Sequence, residues 1–371
     1  MGKSNVPAVV NAFDGIRDHR VGPKHLLIDI IVITILASIC DANTYVDVAN
    51  WGQANLIWLK RYLALPYGIP SHDTFTLVFR FMDPLQFEQG FLNWVNSVEK
   101  ITNGDVIAID GKVLKGSTDK QNLYQAINMV SAWSALNNLI LGQIKTASKS
   151  NEITAIPELL SILNIEGAII TIDAIGCQKS ITETIVQEGG DYVIALKGNQ
   201  PTLYNNAKEQ FEDLLQNQYN ALDFYRSEES GHGRHEVRNN YVFEIGDDFE
   251  GAEGFENLSA IGVSENICTV DGETTRAVRF YILSMLLSAK MFAGCVRSHW
   301  NVENKLHWCL DATFKEDASK IRKDHGPENM SVARRMALNL LKNNGDSKRS
   351  LRAKRKISAW DPEYLKKTVG F

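Results

Sequence analysis

Near residue 105 of this 371-residue chain the apolar residues change period, and that change narrows what the chain can fold into. Before it, Leu26–Cys40, Asp47–Leu63 and Pro70–Met82 carry apolar residues at helical spacing, separated by Asp/Asn and Pro/Gly punctuation. Ser71-His-Asp-Thr-Phe75, just after Pro70, has the layout of a helix start. After it, apolar runs of strand length appear: Val106-Ile-Ala-Ile-Asp110, Asn128–Leu136, Leu139–Thr146, Ala168–Asp173 and Asp191–Leu196. Asn137-Asn138 reads as a turn between two of them, and Asn151–Leu163 and Gln178–Gln187 read as helices. Strands interleaved with helices in this order predict a mixed α/β sheet, preceded by a small helical domain over residues 1–100. Residues 217–285 have a different texture, with Gly231-His-Gly-Arg-His-Glu-Val-Arg238 followed by short β-like runs at Tyr241–Ile245, Leu258–Val263 and Val278–Leu283. This predicts a β-rich insertion within a larger unit spanning residues 101–371.

Composition excludes several classes. With 44% hydrophobic and 22% charged residues the chain can bury a large core, and a net charge of −5 rules out a simple polycation. Basic residues nonetheless cluster late, from about residue 320 to 371: Lys320, Arg322, Lys323, Arg334, Arg335, Lys342, Lys348, Arg349, Arg352, Lys354, Arg355 and Lys356. That cluster suits a phosphate-facing surface, and a solvated helical face with a frayed tail is the alternative. Five cysteines lie scattered without a Cys-x-x-Cys pair, which points away from a disulfide framework or a zinc knuckle and toward a reducing cytoplasm. Leu26–Cys40 is shorter than the about 20 apolar residues a membrane span requires, and it includes Asp29; it predicts a buried helix.

The carboxylates carry the chemistry. Asp110 and Asp173 each end an apolar strand, and in α/β sheets ligand sites lie off the carboxyl ends of strands. Two carboxylates there repel unless a cation sits between them, and Mg²⁺ favours such oxygen ligands. Farther on, His299, Glu303, His307 and Asp311 recur at steps of four, so a helix places all four on one face. Glu303 would complete a two-metal site of the kind that clamps both oxygens of a phosphoryl displacement. Asp311 and the pair Glu316-Asp317 compete for that third place. The His-x-x-x-Glu-x-x-x-His spacing differs from the His-Glu-x-x-His of zinc proteases.

Taken together, the motifs resemble the DDE transposases of bacterial insertion sequences, in the H-repeat-associated group. The resemblance rests on Pro70-Ser-His-Asp-Thr-Phe75, Ile109-Asp-Gly-Lys112 with Lys115-Gly-Ser117, Lys149-Ser-Asn-Glu-Ile153 and Thr171-Ile-Asp-Ala174 with Cys177-Gln178. It continues through Lys197-Gly-Asn-Gln200, His232-Gly-Arg234 with Glu236 and Arg238, Arg297, His299-Trp300, Val302-Glu-Asn304, Leu306-His-Trp308, Leu310-Asp311 and Glu316-Asp317. It implies an RNase H-like catalytic core interrupted by the β-rich insertion, with Asp110, Asp173 and Glu303 as catalytic and metal-binding residues. It also implies two Mg²⁺ ions, with Mn²⁺ able to substitute. The implied activity is cleavage at the element's ends and strand transfer into target DNA. The partners are terminal inverted repeats, target DNA and a second copy in a synaptic complex, in the bacterial cytoplasm and on the nucleoid when DNA-bound. Lys112, Gln178, Lys197, Asn199, His232, Arg234, Arg238, Arg297, His299 and His307 are the candidate DNA contacts. An RNase H-like nuclease without strand transfer and a catalytically silent DNA-binding relative are the alternatives. Two departures stand out: Asn128 replaces the usual His, and the positions where cousin transposases place Tyr, Arg and Lys around the catalytic Glu are Val296, His299 and Leu310.

Overall fold

A computed structural model describes residues 8–98, 104–118, 125–146, 152–231 and 233–371. The first part is helical: α1 (Ala8–Phe13), α2 (Leu27–Ile39), α3 (Tyr45–Ala54), α4 (Leu56–Leu59), α5 (His72–Phe81) and α6 (Pro84–Val98). Side-chain caps set two of the starts. Thr44 and Asp47 form a reciprocal capping box on α3, and the Ser71 hydroxyl accepts from the Thr74 N–H at the head of α5. The single apolar segment Asp47–Leu63 divides at Asn55, into α3 and α4. Helix α2 is buried along nearly its whole length, and its Asp29 is tolerated because its carboxylate accepts the Leu65 N–H at 2.9 Å. Among the described residues no helix is long and apolar enough to cross a membrane.

The strands β1 (Val106–Leu114), β2 (Ile127–Ser134), β3 (Leu139–Thr146), β4 (Ile169–Ile172), β5 (Asp191–Leu196), β6 (Asp223–Gly231), β7 (Arg234–Glu244), β8 (Ala260–Val270) and β9 (Glu273–Leu283) join in one sheet ordered β3-β2-β1-β4-β5-β9-β8-β7-β6. Strands β1, β2 and β3 are antiparallel neighbours, whereas β4 runs parallel to β1 and β5 parallel to β4. Three antiparallel strands followed by two parallel ones is the RNase H-like arrangement. The β-rich insertion does not stand apart: β9 pairs antiparallel with β5, so β6–β9 prolong the same sheet.

Helices α7 (Glu152–Ser161), α8 (Lys179–Gln187) and α9 (Pro201–Asn217) connect the strands, and α10 (Ala289–Val302) lies across the sheet. Gly262 on β8 lets it settle closely, since a β-carbon there would stand 2.5 Å from the Phe292 ring. Helix α11 (Gly326–Asn343) is sheathed by protein from Gly326 to Leu341 apart from isolated atoms, and α12 (Leu351–Trp360) and α13 (Pro362–Val369) follow. One apolar core runs from α2 and α6 through the sheet to α11, so the leading helices and the sheet share buried surface. Asn339 of α11 lies along the outer edge of β3, accepting the Ile140 N–H at 3.0 Å and donating to the Ile140 carbonyl at 2.8 Å.

The late basic residues divide between interior and surface. Arg334, Arg335, Lys354 and Arg355 are buried, so this part of the segment is neither an open basic face nor a solvated tail. Arg335 donates to Glu316 at 3.0 Å, Lys354 to the Leu341 carbonyl at 2.9 Å and Arg355 to the Ser38 carbonyl at 2.7 Å. Each meets an acceptor inside the protein, which is what makes a buried cation tolerable.

Candidate active site

The register of β1 against β4 ends at Ile109 opposite Ile172, so the next residues, Asp110 and Asp173, emerge side by side where β4 stops. β1 continues beyond that point on its β2 side. Asp110 Oδ1 accepts the N–H of its own neighbour Gly111 at 2.9 Å. Asp173 turns the chain into a 3₁₀ turn, accepting the Ile175 N–H at 3.1 Å.

The Glu303 segment arrives across these strand ends. Helix α10, capped by Ser288, does not continue as a regular α-helix: Glu303–His307 and Cys309–Thr313 wind as π turns, with the Trp308 N–H reaching back to the Glu303 carbonyl. Such widened turns are rare and concentrate at functional sites. Of the four residues expected on one face, His299, His307 and Asp311 meet the sheet, while Glu303 pairs with His307. His299 Nδ1 lies 3.2 Å from Thr171 Oγ1, and His307 Nδ1 lies 3.5 Å from Asp110 and 3.4 Å from Glu303. Asp311 forms an ion pair with Lys112. Asp110, Glu303 and His307 offer ligand atoms all within 4.8 Å of one another, a group that could hold a metal ion. Asp173 stands outside that group.

The electrostatics favour a cation. Burial, opposed by the Gly111 N–H, drives the Asp110 carboxyl up to about 7, and the charges of Asp173, Glu303 and Glu152 push the same way. Burial also pulls His307 down to about 4, helped by Lys112 and Arg335, so its imidazole is neutral and cannot offset the carboxylates. His299 is lowered by burial too, against the opposing charge of Asp173. Lys112, the nearest cation along β1, is buried and committed elsewhere, to Asp311, to Glu316 at 3.5 Å and to Asp317 at 3.9 Å. A carboxylate cluster without its own counter-ion fits hard divalent ions.

Around this centre the other candidates divide. Lys197 is exposed at the end of β5, on the same edge as Asp173. Asn199 donates to the Ala174 carbonyl at 2.8 Å and so braces the turn that Asp173 begins. Gln178 stands just before α8, its side-chain amide turned back to the Ile175 carbonyl at 3.5 Å. Arg234 and Arg238 lie on the β6–β7 hairpin, paired with Glu236; Arg238 also reaches Glu229 at 3.2 Å, and Arg297 of α10 meets the same Glu229 at 2.9 Å. His232 lies outside the described residues.

One contributor was not singled out from the sequence as a site residue, and another, Glu316, was expected there only as a competitor for the third ligand place. Glu152, at the start of α7, is buried beside Asp110, its carboxylate accepting from Asn128 at 2.7 Å. The motif Lys149-Ser-Asn-Glu-Ile153 contained it, but nothing in its spacing links it to β1. Glu316 is buried beneath the site between Lys112 and Arg335.

Comparison with known proteins gives the family. A family model described as "Transposase DDE domain" matches residues 102–340, and one described as "DDE_Tnp_1-associated" matches residues 10–95. The chain belongs to the DDE transposase family. Among its relatives, YbfL of Escherichia coli K12 is 42% identical over 358 residues, covering 94% of each chain. YhhI of the same strain, a candidate transposase named for its association with the H repeat, is 42% identical over 348 residues, covering 92% of each. These relatives place the chain in the H-repeat group. A solved synaptic complex of piggyBac transposase with hairpin DNA overlaps 99% of this chain and 77% of that one, with a TM-score of 0.43 and 11% identity. That likeness is too loose to build on.

Proposed function

We propose that this transposase cuts DNA at the ends of its element and joins the freed ends to target DNA, using Asp110, Asp173 and Glu303 with divalent metal. The reading is carried by the approach of Glu303, from a distant segment, to Asp110, beside which the β1–β4 register sets Asp173, and by family membership. The three carboxylates would hold two Mg²⁺ ions, for which Mn²⁺ can substitute. When bound, such ions polarise the scissile phosphate and make water or a 3′-hydroxyl a stronger nucleophile.

The protein's own part is positioning. The β1–β4 register sets Asp110 beside Asp173, and the π turns bring Glu303 and His307 together over Asp110. His307, neutral and buried, can donate a hydrogen bond to either carboxylate and so fix its orientation. On the same reading Lys197, Arg234, Arg238, Arg297 and His232 contact DNA. Gln178, Asn199, His299 and His307 act closer in, and Lys112 acts through Asp311. Cutting and joining two ends calls for a pair of chains in a synaptic complex. It also places the protein in the cytoplasm, on the nucleoid when DNA-bound. The helical residues 1–100 form the smaller unit and residues 101–371 the catalytic one.

The test supplies the DNA flanking the gene as linear substrate, with Mg²⁺ and a target plasmid. Asp110→Asn, Asp173→Asn and Glu303→Gln are each expected to abolish cleavage while retaining DNA binding. Cleavage by Glu303→Gln at the wild-type rate would remove Glu303 from the site. Cleavage without joined product would leave a nuclease.

A further inference from the structure

The segment that carries Glu303 has another face turned to a cavity of about 500 Å³, lined among others by Asn304, Lys305, Cys309, Lys342, Arg349 and Lys354. Its charge is lopsided. Asp346 is the acid among its lining residues, and that carboxylate is occupied, accepting from Arg349 at 2.6 Å and from the Tyr364 hydroxyl at 3.0 Å. Lys342 Nζ donates to the Lys305 carbonyl at 2.8 Å and stands 3.7 Å from the centre of the Trp133 ring. Lys354 Nζ, deeply buried, donates to the Leu341 carbonyl at 2.9 Å. Among the described residues, none of Lys305, Lys342 and Lys354 forms an ion pair. Burial, opposed by Cys309, pulls Lys342 down to about 7, and the neighbouring charges of Lys305 and Lys354 add to it.

Several ammonium groups facing one cavity without a carboxylate of their own repel one another, and an anion placed among them reverses that cost. We propose that this cavity binds a phosphate group of the DNA backbone, gripping it from the segment that also presents Glu303 to Asp110. Carbonyl-bound Lys342 is held by the π-wound segment itself, so the grip and the carboxylate share one support. This inference rests on the reading of the chain as a DNA-acting enzyme.

The test reads binding, not cutting. Full-length protein is titrated with a duplex of about 30 base pairs, without divalent metal, over a range of salt concentrations. Lys342→Met, which keeps the packing against Trp133, and Lys305→Gln, at an exposed position, are each expected to lower the slope of log affinity against log salt by about one. If Lys342→Met fails to fold, Lys305→Gln alone carries the measurement. In a parallel arm, inorganic phosphate is tested for its effect on the melting temperature of the wild type and of each variant. Wild-type slopes in both variants overturn the proposal; if phosphate then still stabilises only the wild type, the cavity serves a free anion instead of DNA. Reduced slopes in a protein that never cuts DNA would sink the cleavage reading and uphold this one.

Discussion

The Glu152 carboxylate occupies the space beside Gly111 that a β-carbon would need, its Oε1 only 2.6 Å from that position. The glycine after Asp110 thereby admits a further carboxylate next to the Asp110 cluster, held by Asn128 at 2.7 Å. Gly111 needs no special backbone angle; it needs to be small.

Gly111→Ala is therefore expected to destabilise the protein by about 1–3 kcal/mol, the usual cost of forcing extra volume into a packed site. Denaturant unfolding measures it. In a Glu152→Ala background the same substitution should cost less, because the atom it strikes is gone. Strictly additive losses would refute the contact.

Glu88 predicts a pH dependence. Buried between α6 and β3, it accepts from the Gln143 N–H and side-chain amide, each at 3.1 Å, yet burial outweighs those bonds and lifts its carboxyl to about 7. The unfolded value is near 4.5. Between those values the folded protein retains a proton that the unfolded chain has released, so stability from this group falls as pH rises through the window. Melting curves from pH 5 to 8 should be flatter for Glu88→Gln than for the wild type. Parallel curves would place the titration elsewhere.

Lys112 is a structural cation with Asp311, Glu316 and Asp317 around it. Lys112→Met leaves those carboxylates facing one another and should cost about 3–5 kcal/mol, the usual penalty for removing one partner of a buried pair. Chemical denaturation supplies the number. A folded variant of wild-type stability that instead loses salt-dependent DNA affinity would make Lys112 a phosphate contact.

Asn339→Leu removes the two hydrogen bonds that meet Ile140 at the sheet edge. The expected loss is about 1–3 kcal/mol for leaving buried backbone groups unpaired. Hydrogen exchange at the Ile140 amide should quicken more than at the centre of β1; unchanged protection there would contradict the contact.

Local patterns carried much of the fold. The apolar runs ending at Asp110 and Asp173 were visible because buried strands leave continuous apolar stretches, and β1 and β4 do lie there. The turn at Asn137-Asn138 was legible because Asn tolerates the left-handed backbone that Asn138 adopts, with φ 56°. Three things were not legible. The π turns leave the spacing of His299, Glu303, His307 and Asp311 unchanged in sequence, so a periodicity argument reads them as plain helix. The joining of β9 to β5 is a long-range pairing that no local pattern encodes. Arg334, Arg335, Lys354 and Arg355 looked like surface because nothing in sequence showed which acceptors wait inside. The same limit applies to Glu152, whose approach to Asp110 depends on the fold and on the missing side chain at Gly111.

The amide of Asn339 serves the edge of β3 as a short piece of neighbouring strand would, and Glu88 claims the Gln143 N–H farther along. That margin of the sheet is thus sealed from within, and another polypeptide cannot extend it there without first evicting α11. The opposite margin, β6, is largely exposed and studded with Arg226, Glu228 and Glu229. Growth of the sheet by added strands is therefore directional: among the described residues, the charged hairpin side is the margin left for a partner chain seeking backbone to pair with.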